Sequence, residues 1–195
     1  MAKIKAATYK LQFSTFLGGN GMDWGTDIAV DKKGAAYVTG YTFARDFPIK
    51  KEVFKNRKSV DAFVTKYNRN GSQIIYSTYI GGTHEDWGWE IAVDKKGSAT
   101  IVGTTKSSVF PLKNALQSTY MGNLDVFITK ISPKGGRLKF STYLGGSSYD
   151  DARTIAVDSK NAIYIVGYTA SNDFPLKKAM KDTLQGSDTF VLKIK

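Results

Sequence analysis

Carboxylates, tryptophans, lysine-rich runs and one histidine carry the chemical potential of this sequence. Asp23, the pair Glu85 and Asp86, and the pair Asp150 and Asp151 are short acidic signals, each following a Gly-Gly pair. Carboxylate oxygens gathered around an axis suit Ca²⁺ or another hard cation, so Asp23, Asp86 and Asp150 are candidate channel carboxylates. No contiguous calcium-loop spacing is present. The expected role of these side chains is instead to fix turns by accepting backbone amides, and no metal or other cofactor is required. Trp24, Trp87 and Trp89 stand beside the same acids. As exposed rim aromatics they could stack on a sugar or a peptide; packing within the fold is the expected alternative.

Basic residues gather elsewhere: Lys50, Lys51, Lys55, Arg57 and Lys58; Lys106 and Lys113; Lys177, Lys178 and Lys181. With a formal net charge of +11 they suggest an anion-binding collar. No recognised nucleic-acid motif accompanies them, so a solvated charged surface is expected and nucleic acid is not the expected partner. His84 is the sole histidine and there is no cysteine. Disulfides and thiolate metal sites are excluded. No Gly-x-Ser-x-Gly elbow supports a hydrolase, and the Gly-Gly pairs at 18–19, 81–82 and 145–146 precede no helix, so they are not phosphate loops. The expectation is that the chain is not an enzyme.

The elements that position these residues follow from internal repetition. Ser14-Thr15-Phe16-Leu17-Gly18-Gly19 returns at Ser77 and again at Ser141, offsets of 63 and 64 residues. Ile28-Ala29-Val30-Asp31 returns at Ile91 and Ile155, Phe47-Pro48 at Phe110 and Phe174, and Asp61-Ala62-Phe63-Val64 at Asp125 and Asp188. Each period holds four runs rich in Val, Ile, Tyr, Phe and Thr, here called A to D: in the first unit about 26–31, 35–42, 61–67 and 73–80. Asp31-Lys32-Lys33-Gly34 and its copies read as tight hairpin turns, with Asn161 replacing the glycine in the third. Asp27 and Glu90 become Thr154 in the third copy. Four antiparallel strands at this period give an all-β propeller, with three blades spanning about 24–80, 87–144 and 151–195 in one repeat domain, 1–195.

The composite pattern STYLGG, IAVD, YVTG, FP and DAFVTK resembles the bacterial SBBP β-propeller repeat family over essentially the whole chain. Asp151 stands where Trp24 and Trp87 occur in the other copies. The resemblance implies a scaffold or binding role without catalysis, in proteins of the cell surface or outside the cell. This sequence has no secretory h-region and no apolar run long enough to span a membrane, so its own location is undetermined and membrane insertion is not expected.

Propellers have about four to eight blades, so three are too few and two copies give six. The chain opens on a D-type strand, 11–17, and ends on a C-type strand. A six-bladed homodimer is therefore expected. In it the N-terminal strand of one chain, through Phe13, Thr15 and Leu17, completes the third blade of the other. Such a half-propeller could be an engineered or excised fragment. The competing expectations are a glycan- or protein-binding module on the loop rim, and an enzyme with a site in the central channel.

Overall fold

In the computed structural model, which describes residues 2–5, 9–55 and 59–195, all regular structure is β. Arg57 and Lys58 of the first basic run lie outside the described residues. A short hairpin, β1 (Ala2–Lys5) and β2 (Lys10–Ser14), precedes three sheets. Blade 1 comprises β3 (Asp23–Val30), β4 (Ala36–Thr42), β5 (Asp61–Tyr67) and β6 (Ile74–Ile80). Blade 2 comprises β7 (Asp86–Val93), β8 (Ala99–Thr105), β9 (Asp125–Ile131) and β10 (Leu138–Leu144). Blade 3 has β11 (Asp150–Val157), β12 (Ile163–Thr169) and β13 (Asp188–Ile194). Within these sheets the strands pair antiparallel, in the order A-B-C-D in the first two blades and A-B-C in the third.

The turns form for local reasons. Asp31 Oδ1 accepts the amides of Lys33 (2.9 Å) and Ala35 (3.0 Å), which folds the chain back over Gly34 at φ +81°. Asn161 occupies the same place in blade 3 at φ +65°, as its tolerance of the left-handed region predicts.

Blades pack face to face. The rear face of blade 1, with Tyr37, Val64 and Tyr76, meets Ile91, Ile101 and Phe127 on the front of blade 2. Val102, Val126 and Ile128 on the rear of blade 2 meet Ile155, Ile165 and Phe190 of blade 3. This is why the strands lack simple polar–apolar alternation: both faces are covered. Polar ties cross the same seams. Asp27 Oδ2 accepts Ile91 N (2.8 Å), Thr26 Oγ1 donates to Gly88 O (2.8 Å), and Thr154 Oγ1 donates to Glu90 Oε2 (3.3 Å).

Three details differ from the sequence reading. The A strands begin earlier, at Asp23, Asp86 and Asp150, because these residues already pair with Thr42, Thr105 and Thr169 of the B strands. Trp24, Trp87 and Trp89 therefore lie within strands rather than in loops. The N-terminal D-type strand ends at Ser14 instead of continuing to Leu17, and it pairs with β1, an element the sequence reading did not anticipate.

Candidate functional site

The loops joining D to A and B to C share one rim. Asn20 N donates to Asp46 Oδ1 (2.7 Å), His84 N to Ser107 Oγ (2.9 Å), and Ser147 N to Asp173 Oδ1 (2.8 Å). Beneath this rim each candidate carboxylate is engaged locally. The Oδ2 atoms of Asp23, Asp86 and Asp150 accept the amides of Gly19 (2.9 Å), Gly82 (2.8 Å) and Gly146 (2.7 Å). Thr42 also donates to Asp23, Ser107 to Asp86 (3.0 Å), and Ser171 to Asp150 (2.8 Å). Asp86 and Asp150 are fully buried, each with an Oδ1 that has no hydrogen-bond partner. Burial pushes the Asp86 carboxyl up to about 7, against the lowering effect of Thr105, Gly82 and Ser107. Asp125, at the start of β9 and also buried, is pushed by burial up to about 6. These groups pin turns by direct hydrogen bonds. Among the described residues no group of three or more His, Cys, Asp or Glu is placed to hold a metal ion.

The tryptophans divide. Trp24 is half-exposed and stacks on Tyr41 (centroids 6.4 Å, planes 14° apart). Tyr41 also meets the edges of Trp89 (5.9 Å) and Phe43 (6.4 Å). Trp87 stands apart, with Lys106 Nζ over its ring at 5.1 Å and Lys106 paired to Glu85 at 2.7 Å. Trp89 Nε1 donates to Thr104 Oγ1 (3.1 Å). His84 is exposed, its Nδ1 3.1 Å from Thr83 Oγ1.

The outermost strand of each complete blade sits in a two-sided slot. Ser77 of β6 faces Thr65 of β5 on one side and exchanges both backbone bonds with Lys50 on the other (2.8 and 2.9 Å). Ser141 of β10 is held likewise between Thr129 and Lys113 (2.8 and 3.0 Å). In blade 3 the corresponding space, between β13 and residues 174–184, is a groove of about 1250 Å³ lined by Phe174, Lys177, Phe190 and Val191.

A repeated aromatic triad marks the slot. Phe47 packs on Phe63 (4.5 Å) and Tyr79 (6.0 Å); Phe110 packs on Phe127 (5.2 Å) and Tyr143 (5.9 Å). Blade 3 supplies the first two rings, Phe174 and Phe190 (4.7 Å). The repeat places Phe16 at the third position, and Phe16 is fully exposed. It is the functional candidate that the sequence reading passed over; its alignment with Tyr79 and Tyr143 was the available signal.

The N-terminal strand stands where a preceding blade's D strand would. The Phe13 ring lies against Gly71 as Tyr76 of β6 lies against Gly135, and Leu17 packs on the front cluster of Val38, Phe63 and Tyr79. Thr15 lies just beyond β2 in the same stretch.

A family model for the SBBP beta-propeller repeat matches residues 12–48 and 139–175. The strand D–A–B units at these two places are similar to the SBBP beta-propeller repeat. Each SBBP match runs from strand D through A and B to the Phe-Pro pair, the segment that crosses from one blade into the next. By the internal period, residues 75–111 are the corresponding stretch of the middle repeat. No curated protein matches the chain.

Proposed function

We propose that this chain is a non-enzymatic propeller scaffold, one half of a six-bladed ring that closes as a homodimer by exchange of the N-terminal strand. Two observations carry the reading together: Phe16 is exposed, and the cluster Phe174–Phe190 beside the blade 3 groove has two rings where the other blades have three. In the two complete blades the same position is filled by Tyr79 and Tyr143, each 1 % exposed.

The terminal faces support it. Ile28 on the front of blade 1 is 48 % exposed, while its counterparts Ile91 and Ile155 are 5 % and 8 %. Val191 on the rear of blade 3 is 74 % exposed, while Val64 and Ile128 are 0 %. These two faces match the surfaces that pack blade 1 on blade 2 and blade 2 on blade 3. Joining them continues an interface the chain already makes twice, buries apolar surface and pairs the open edge of β13.

Light scattering coupled to size exclusion tests it. The expected species has twice the 21.4 kDa chain mass. Phe16→Asp is expected to raise the dissociation constant by roughly 30-fold or more. Because Phe16 is exposed in the single chain, its circular dichroism spectrum should not change. A wild-type chain that stays at 21.4 kDa at high concentration would remove the reading.

A second reading, a glycan- or peptide-binding rim, is favoured by one feature: Trp24 is half-exposed and stacks on Tyr41, which in turn meets Trp89. Under it, Trp24→Ala lowers retention on a glycan array by about tenfold, the scale of a lost aromatic stack. Trp87→Ala leaves retention unchanged, because Lys106 already covers that ring. Equal binding by wild type and Trp24→Ala would rule the rim out.

A further inference from the structure

The hairpin β1–β2 repeats, residue for residue, the C–D hairpins of the complete blades. In blade 1 Thr65 faces Ser77, Lys66 faces Tyr76 and Tyr67 faces Ile74, with the register slipping past Ile75. In blade 2 Thr129 faces Ser141, Lys130 faces Phe140 and Ile131 faces Leu138, slipping past Lys139. At the N-terminus Ala2 faces Ser14, Lys3 faces Phe13 and Ile4 faces Leu11, slipping past Gln12. The slip falls at one repeat position in all three, so β1 takes the strand C place with the register of strand C. Its sequence agrees: Ala2-Lys3-Ile4-Lys5 parallels Leu192-Lys193-Ile194-Lys195 of β13.

Two segments therefore fit one edge. We propose that β1 is a stand-in for β13 of a second copy: it covers the edge of β2 in the single chain and must leave that edge before strand exchange can close the ring. The proposal rests on the strand-exchange reading above and adds its control. In the closed ring the register sets Ser14 opposite Leu192, Phe13 opposite Lys193 and Leu11 opposite Ile194 of the other chain. Strand β1 spans four residues, whereas β13 spans seven and belongs to a packed sheet, so the exchange is favoured once two chains meet. Ring assembly then has an internal competitor, and the apparent dissociation constant is the intrinsic one divided, once for each chain, by the fraction in which β1 has left the edge.

Paired cysteines separate the two claims, since the chain has none of its own. The position is suitable: the hydroxyls of Thr65 and Ser77 are 2.8 Å apart, and those of Thr129 and Ser141 3.1 Å. In Ser14→Cys/Leu192→Cys, oxidation is expected to give a species of double mass on a denaturing gel, which reports strand exchange alone. Failure of that cross-link overturns the strand-exchange reading and the role of β1 with it. In Ala2→Cys/Ser14→Cys, oxidation is expected to hold the chain as a monomer and reduction to restore the dimer. Removing residues 1–5 is expected to lower the apparent dissociation constant about tenfold. If the interchain cross-link forms but the truncation leaves the dissociation constant unchanged and the Ala2–Ser14 cross-link does not block dimer formation, β1 is no competitor and this inference falls while dimerisation stands.

Discussion

Acidification from about pH 8 to about pH 5 is expected to stabilise this protein by about 3–4 kcal/mol, roughly 10 °C in melting temperature for a chain of this size. The cause is burial of two carboxyls. Asp86 holds its proton up to about pH 7 in the fold, against an ordinary aspartate value of 3.8, and Asp125 holds its proton up to about 6. Between those values and 3.8 the folded chain binds more protons than the unfolded one, so stability falls as pH rises through the window. Above it both carboxylates are charged in a site poor in water, and the penalty is complete. Around Asp86 stand Asp61 across Gly81, and Glu85 with its partner Lys106; around Asp125 stand Asp150 and Asp173. None of them supplies a buried cation.

The opposing groups act at lower pH. Burial works against Asp31 and Asp94, yet their hydrogen bonds and Lys66 (3.6 Å) and Lys130 (2.9 Å) hold both carboxyls below the usual range. Their contribution is present above about pH 4 and is lost below it, so the optimum lies near pH 4. Thermal melts across the pH series check this. Asp86→Asn keeps an acceptor for Gly82 and Ser107 and should flatten most of the slope, leaving the share of Asp125. A wild-type profile that is flat, or that rises toward alkaline pH, would refute the assignment.

Gly103→Ala is expected to cost about 3 kcal/mol or more, one of the largest effects of any single methyl in the chain. A bulge between Gly88 and Glu90 turns the Trp87 carbonyl toward β8, where an added Cβ at position 103 would lie 1.9 Å from that oxygen and 2.6 Å from the Phe127 ring. Backbone and a buried aromatic ring block it, and neither can give way cheaply. An added Cβ would lie 1.8 Å from the Trp24 carbonyl oxygen at Gly40 and 2.3 Å from that of Asp151 at Gly167, so the constraint recurs in each blade. Gly25→Ala is the control: its nearest neighbour would be a Val38 methyl at 3.8 Å, and a change within about 1 kcal/mol is expected. Chemical denaturation of the two variants compares them directly; equal stabilities would refute the argument.

The repeat made the fold legible. Turn chemistry at Asp31–Gly34 and Asp158–Asn161 depends on neighbours in sequence, and strand identity depends on composition, so both could be read without coordinates. The acidic signals were legible as turn-fixing groups for the same reason: Asp86 and its amide donor Gly82 are four residues apart. The role of Asp27 was hidden, because its partner Ile91 belongs to the next blade. So was the split among the tryptophans, which turns on whether Tyr41 or Lys106 lies against each ring.

By itself the sequence determined the repeat period, the four-strand unit and the hairpin turns, because these are set by local backbone preference and by apolar runs that recur at fixed spacing. Only the tertiary structure decided which faces are left uncovered, that Phe16 is bare while Tyr79 and Tyr143 are buried, and that β1 takes the register of a C strand. Those outcomes depend on which surfaces meet across blades far apart in sequence, and burial and strand register are properties of the packed chain rather than of any segment.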